Sequence, residues 1–168
     1  MDKAHSELVD WTINYLKNRD LFLKKIEIIE KDKKGFDVYV KFKDSLKSKI
    51  SNSYESPIRK KEQFFVVMPI MSEIKELFSR FEPGGNYGLV VFNTLSNFNV
   101  LIDNWKEFVK FKGLCVYFVN PSSKLDKRWV IYPYTHNNIC EEGSLKAGLK
   151  SMFDMVEVLT EAKIKDTF

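Results

Sequence analysis

The sequence predicts an α/β fold: a single domain with a mixed sheet of about six strands, a β-hairpin near the N-terminus, parallel βαβ units and helices on both faces. Three observations carry that expectation. The stretches YGLVVF at 87–92 and GLCVYFV at 113–119 are nearly continuous apolar runs, as strands buried on both faces require. Between them NVLIDNWKEFVKF, at 99–111, places Leu101, Trp105, Phe108 and Val109 at helical spacing, so the three segments read as a parallel βαβ unit with a right-handed crossover. In 36–43, by contrast, Phe36, Val38, Val40 and Phe42 alternate with Asp37, Tyr39, Lys41 and Lys43, the pattern of an antiparallel strand with one solvated face.

From the N-terminus, Ser6 stands where an N-cap belongs, and Leu8, Trp11, Thr12, Tyr15 and Leu16 form the apolar face of a helix reaching about Asn18. A hairpin follows: KKIEIIEKD and GFDVYVKFKD joined through Lys33-Lys34-Gly35, with glycine supplying the positive φ of the turn. Residues 45–61 hold five serines, Pro57 and a set of basic groups, and read as a polar loop of a length that is usually either functional or disordered. FFVVM at 64–68 is a short buried strand closed by Pro69, and Ser72 caps a helix through Phe81. Pro83-Gly84-Gly85-Asn86 is a turn. Asn97 or Asn99 caps the helix of the βαβ unit, and Gly113 ends it. Asn120-Pro121-Ser122-Ser123 turns the chain towards a last strand, RWVIYPY at 128–134. A long helix then runs from about Leu145 to Glu161, capped by Ser144. Its Leu145, Leu149, Met152, Val156 and Leu159 recur with 4-3-4-3 spacing, which packs on the sheet or forms the seam of a homodimer or of another protein contact.

Composition narrows the function classes. A length of 168 residues suits one domain, 1–168, and 14 phenylalanines, 7 tyrosines and 3 tryptophans suffice for its core. No apolar run approaches the roughly 20 residues that span a bilayer, so no membrane role is expected. MDKAHSELVDW opens a charged helix instead of a signal or transit peptide, and the two cysteines make no disulfide framework. A cytoplasmic location follows as the expectation. The net charge is only +4, yet residues 17–61 hold 14 lysines and arginines against 7 acids. Only four basic residues of the whole chain are arginine. Lysine neutralises phosphate as a point charge, whereas base edges are read by arginine forks. Lys41, Lys43, Lys47, Lys49, Arg59, Lys60 and Lys61 are accordingly candidates for contact with a nucleic-acid backbone.

Motifs with chemistry are few. Gly84-Gly85-Asn86-Tyr87-Gly88 precedes a strand, the reverse of a dinucleotide fingerprint, in which the glycines follow one. His136, Cys140, Glu141 and Glu142 lie close in sequence, but the other histidine is His5, and a structural zinc site takes four ligands. No metal is assigned to them, and the cofactor remains unknown. In open α/β sheets, ligands gather beyond the carboxyl ends of parallel strands, which here carry Asn93, Thr94, Ser96 and Asn97, then Asn120, Ser122 and Ser123. Asn93, Asn97, Asn120, Ser122 and Ser123 form a candidate small-ligand site, against the competing use of such residues as caps and turns.

The order helix, three strands, helix, strand over about residues 5–92 resembles the αβββαβ core of the restriction-endonuclease-like, PD-(D/E)xK nuclease fold. That family carries an acid on one strand and Glu-x-Lys on the next, which hold Mg²⁺ and orient the attacking water. By resemblance Asp37 stands for the first acid and Glu62 for the second. Phe64 occupies the lysine's place, and Lys41 is the candidate substitute. The resemblance thus implies a catalytically degenerate nuclease-like module that binds nucleic-acid backbone through the basic segment. Its alternatives are a protein-interaction or small-ligand module, and a Mg²⁺-dependent nuclease with Asp37, Glu62 and Lys41 as its centre.

Overall fold

The computed structural model of the chain describes residues 3–43 and 61–167. Six strands, β1 (Ile26–Lys33), β2 (Phe36–Phe42), β3 (Glu62–Val67), β4 (Tyr87–Phe92), β5 (Leu114–Val119) and β6 (Arg128–Ile131), lie in the sheet in sequence order. The pairs β1–β2, β2–β3 and β5–β6 are antiparallel, while β3–β4 and β4–β5 are parallel. The fold class expected from the sequence is therefore the one observed. β4 and β5 are buried at every position, as their uninterrupted apolar composition demands.

Two apolar layers cover the sheet. On one face α1 (Lys3–Leu23) lays Ala4, Leu8, Val9 and Leu16 over Val38, Val40, Phe65, Val90 and Tyr117, joined by Ile164 of α7 (Glu161–Thr167). On the other, α2 (Ile74–Ser79), α3 (Leu95–Asp103), α4 (Trp105–Val109) and α6 (Glu142–Asp154) pack on Val66, Leu89, Val91, Val116 and Phe118. Gly88 belongs to this economy of space: a Cβ there would meet the Phe65 ring at 2.4 Å. The hairpin turn uses Lys34 and Gly35, both at positive φ (56° and 76°), as a tight reversal with right-handed strand twist requires.

Several local expectations change. Thr94, not Asn97 or Asn99, caps α3, accepting from the Asn97 N–H at 3.1 Å. Glu73 occupies the N-cap of α2 in place of Ser72. The helix of the βαβ unit breaks at Asn104 into α3 and α4. The last strand stops at Ile131, and α5 (Pro133–Ile139) begins where a loop was expected, with Pro133 in its first turn, the one helical place where a missing N–H costs nothing.

The largest departure is at the C-terminus. The single helix expected over 145–161 ends at Asp154, and its N-cap is Glu141, with Ser144 inside the first turn. Met155–Thr160 form a non-helical strap that crosses the carboxyl edge of the sheet: Val156 is buried in one apolar layer and Leu159 in the other. Leu149, Val156 and Leu159 are all buried, so the 4-3-4-3 row is core and not a dimer seam.

Candidate functional site

Asp37 and Glu62 are not brought together. Glu62 pairs across the ladder with Lys41, and Asp37 lies four residues back along β2, about 13 Å at strand rise. They are also directed to different partners. Asp37 Oδ1 meets Nε2 of His5 on α1 at 2.9 Å, and its Oδ2 accepts the Val67 N–H at 2.7 Å. The cause is local: the β2–β3 ladder ends at Val38↔Phe65, and the Asp37 carboxylate takes the next strand N–H that a backbone carbonyl would have taken. Phe36, expected on the same face as Val38, packs instead on Phe64 and Tyr87 at 4.9 and 5.8 Å, on the opposite layer. Two carboxylates so placed cannot share a cation whose ligands sit about 2.0–2.6 Å away. No cluster of three metal-binding side chains occurs among the described residues, the His136–Cys140 stretch included.

Glu62 serves Tyr39. Tyr39 was expected on the solvated face but is 3% exposed, and its hydroxyl donates to Glu62 Oε1 at 2.5 Å. Lys34 reaches the same carboxylate at 3.1 Å and stands over the Tyr39 ring at 5.2 Å. The Tyr39 hydroxyl, then Lys34, hold Glu62 below the ordinary carboxylate range. That hydrogen bond, with burial second, pushes Tyr39 up to about 12. A phenol favoured in its neutral form contributes stability that is complete below the ordinary tyrosine value and lost as pH rises through about 12. The Glu62 contribution is complete above the ordinary carboxylate value and lost as pH falls through its lowered one. An ultraviolet difference titration of the wild type against Tyr39→Phe is expected to show one tyrosine ionising near 12. Glu62→Gln should return that ionisation towards about 10, and an unchanged curve would contradict the pair.

Lysines of the hairpin body are compensated. Lys31 pairs with Asp10, Lys33 with Glu30, Lys34 with Glu62 and Lys41 with Glu27. Lys41 therefore neither supplies the missing catalytic lysine at Asp37 nor stands as an uncompensated charge. Lys47, Lys49, Arg59 and Lys60 lie outside the described residues.

The polar strand ends are used up by the fold. Asn93 is fully buried: its amide donates to Val156 O at 2.8 Å and Phe153 O at 3.3 Å, and accepts from Trp129 Nε1 at 2.8 Å. Asn97 accepts from Met71 N and donates to the Pro69 and Phe92 carbonyls, all within 2.9 Å. Asn120 donates to Glu157 O at 2.8 Å and accepts from Ser122 N at 3.0 Å, and Ser123 Oγ accepts from Leu125 N at 3.2 Å. With the strap lying across them, these side chains fasten the chain where other open sheets admit a ligand. The expected small-ligand site is thus occupied by the protein itself. Cys115 offers no nucleophile, since burial raises its thiol to about 11.

What the topology does gather is lysine at the opposite, amino edge. β1, β3, β4 and β5 all begin there and β2 ends there. The Lys43 N–H donates to Lys25 O and Phe42 N to Lys61 O, both at 2.8 Å, and Lys43 Nζ donates to Lys24 O at 2.9 Å. Lys24, Lys25, Lys43 and Lys61 are all exposed. Among the described residues no carboxylate is paired with Lys24, Lys25 or Lys43. Of the acids near Lys24 and Lys25 in sequence, Glu27 is paired with Lys41 at 3.0 Å, and Asp20 is committed to backbone, accepting from Lys25 N at 2.8 Å and Ile26 N at 2.9 Å. Asp44, next to Lys43, lies outside the described residues. Lys43 and Lys61 were candidates from sequence. Lys24 and Lys25 entered only the charge count, although a lysine pair between a helix and a strand is a signal that could have been read.

Further along the same edge an open cleft of about 910 Å³ lies between the Glu82–Asn86 turn and Lys110–Gly113. It continues the row, because Phe64 N donates to Asn86 O and Tyr87 N to Gly113 O, both at 2.9 Å. No family model matches this chain, and neither the curated proteins nor the solved structures searched contain a match. No helix among the described residues is long and apolar enough to cross a membrane.

Proposed function

We propose that this protein is a non-catalytic module that binds the phosphate backbone of nucleic acid along the amino edge of its sheet. The observation that carries the reading is the convergence of Lys24, Lys25, Lys43 and Lys61 on adjacent strand ends, with Lys24, Lys25 and Lys43 lacking carboxylate partners among the described residues. Ammonium groups held side by side repel one another, and a polyanion relieves that repulsion while releasing its own counterions. The residues implied by the nuclease resemblance support binding without cleavage, since Asp37 is engaged by His5 and Val67, and Glu62 by Tyr39 and Lys34.

Binding of a labelled oligonucleotide, followed by fluorescence anisotropy across a salt series, tests the proposal. Four phosphate contacts correspond to a slope of log K against log salt of about −3. The triple change Lys24→Glu, Lys25→Glu and Lys43→Glu is expected to flatten that slope by about 2–3 and to weaken binding at low salt by on the order of a hundredfold. No binding at low salt, or affinity indifferent to salt, would overturn the proposal.

A further inference from the structure

We infer that the strand the amino edge accepts is single-stranded, with bases stacking on Phe22 at one end and entering the Phe111 cleft at the other. The inference rests on the backbone-binding reading and adds a ligand class to it. Phe22 is 94% exposed, flanked by the exposed Leu21 and Leu23. A helix end that merely frays could carry such residues without consequence, but this one is fastened. Lys24 adopts the left-handed conformation (φ 47°), its N–H donates to Asp20 O at 2.8 Å, and the Asp20 carboxylate holds the next two N–H groups. The backbone that carries Phe22 is thus held in a set place, two residues before Lys24.

At the far end, Lys110 and Lys112 are exposed on either side of Phe111, and all three line the cleft. Phe111 is itself braced from behind by Phe78 and Phe81, at 4.9 and 5.5 Å between ring centroids. Lys110 shares its charge with Glu107 at 2.7 Å, and Lys112 rides on the Tyr134 ring at 5.2 Å. Glu82 and Asn86 also line the cleft. From β1 to β5 the edge spans about 19 Å, four inter-strand spacings. Aromatic platforms bracketing a basic track are what single strands use, because a duplex hides its base faces in its own stack. Leucine, phenylalanine and lysine together would also suit an anionic membrane surface. The cleft favours the polynucleotide, since Phe111 offers a base a face to stack on between two lysines, whereas a lipid surface gives such a recess no role.

The test compares a thymidine oligomer, a duplex of equal length and phosphatidylserine vesicles, using wild type, Phe22→Ala and Lys112→Glu, each checked for folding by circular dichroism. The single strand is expected to bind more tightly than the duplex. Phe22→Ala should weaken strand binding about tenfold or more and leave its salt slope unchanged, while Lys112→Glu should lower that slope by about 1. Equal binding of strand and duplex, unaffected by Phe22→Ala but still steeply salt-dependent, would overturn this inference and leave backbone binding standing. Absence of any oligonucleotide binding at low salt would remove both. Vesicle binding that depends on Phe22, without oligonucleotide binding, would assign the tip to a lipid surface instead.

Discussion

Asn93→Leu is expected to destabilise the fold by about 4 kcal/mol and to lower Tm by on the order of 10 °C. The two side chains share the same branching and number of heavy atoms, so the change leaves no cavity, and the bulk of the two methyl groups adds to the loss of the hydrogen bonds. It strands two buried groups, Trp129 Nε1 and the Val156 carbonyl, and takes one of two donors from the Phe153 carbonyl, which keeps the Val156 N–H at 3.4 Å. Each orphaned buried group costs roughly 1–3 kcal/mol, and the extra apolar contact of leucine offsets only part of that. The main-chain bond from Leu159 N to Asn93 O, at 2.9 Å, does not depend on the side chain, so the strap should loosen and not detach. Thermal unfolding by circular dichroism reads the loss, and hydrogen exchange should place the greatest deprotection in residues 155–160. A Tm within about 2 °C of wild type would show that the amide is not the strap's fastening.

Leu149→Lys is expected to abolish folding at 25 °C, or to leave a protein destabilised by more than about 5 kcal/mol. Leu149 is 3% exposed, within the layer that contains Phe98, Phe153 and Val156. The substitution removes the burial of a leucine, about 2–3 kcal/mol, and puts an ammonium group where water cannot reach it. A domain of this size has roughly 5–15 kcal/mol to lose. Ser151→Lys, two residues on and exposed, is the control and should keep the wild-type Tm. The measurement is denaturant unfolding with sizing of whatever remains soluble. A folded Leu149→Lys monomer derived from a wild-type dimer is the result a coiled-coil seam would give, and it would overturn the placement of α6 against the sheet.

The nuclease-like set shows how a site read from sequence order can dissolve in space. Asp37 and Glu62 stand on neighbouring strands, as the resemblance implies, but strand register separates them by four positions along the ladder. Each then meets a partner distant in sequence, His5 in one case and Lys34 in the other. The same register joins Lys25 to Lys43 and Phe42 to Lys61, assembling a basic edge from residues that a linear charge count only sums.

Composition and periodicity by themselves determined the α/β class, the hairpin at 33–35, the burial of β4 and β5 on both faces and the packing helices. These follow from local physics: apolar runs must be covered, alternation sets a sheet face, and glycine supplies a positive φ. Tertiary structure alone decided the rest. The break of the C-terminal helix at Asp154 depends on Asn93 and Asn120, which reach back from β4 and β5 to hold Val156 and Glu157. The burial of Tyr39 depends on a carboxylate that arrives with β3. The lysines with and without a carboxylate partner among the described residues have the same local sequence character, and their neighbours across strands distinguish them. Side-chain periodicity encodes which face a residue takes, whereas a hydrogen bond or ion pair between distant segments is set by register and strand order. That is why the scaffold was legible in the chain and the lysine edge had to be folded to be seen.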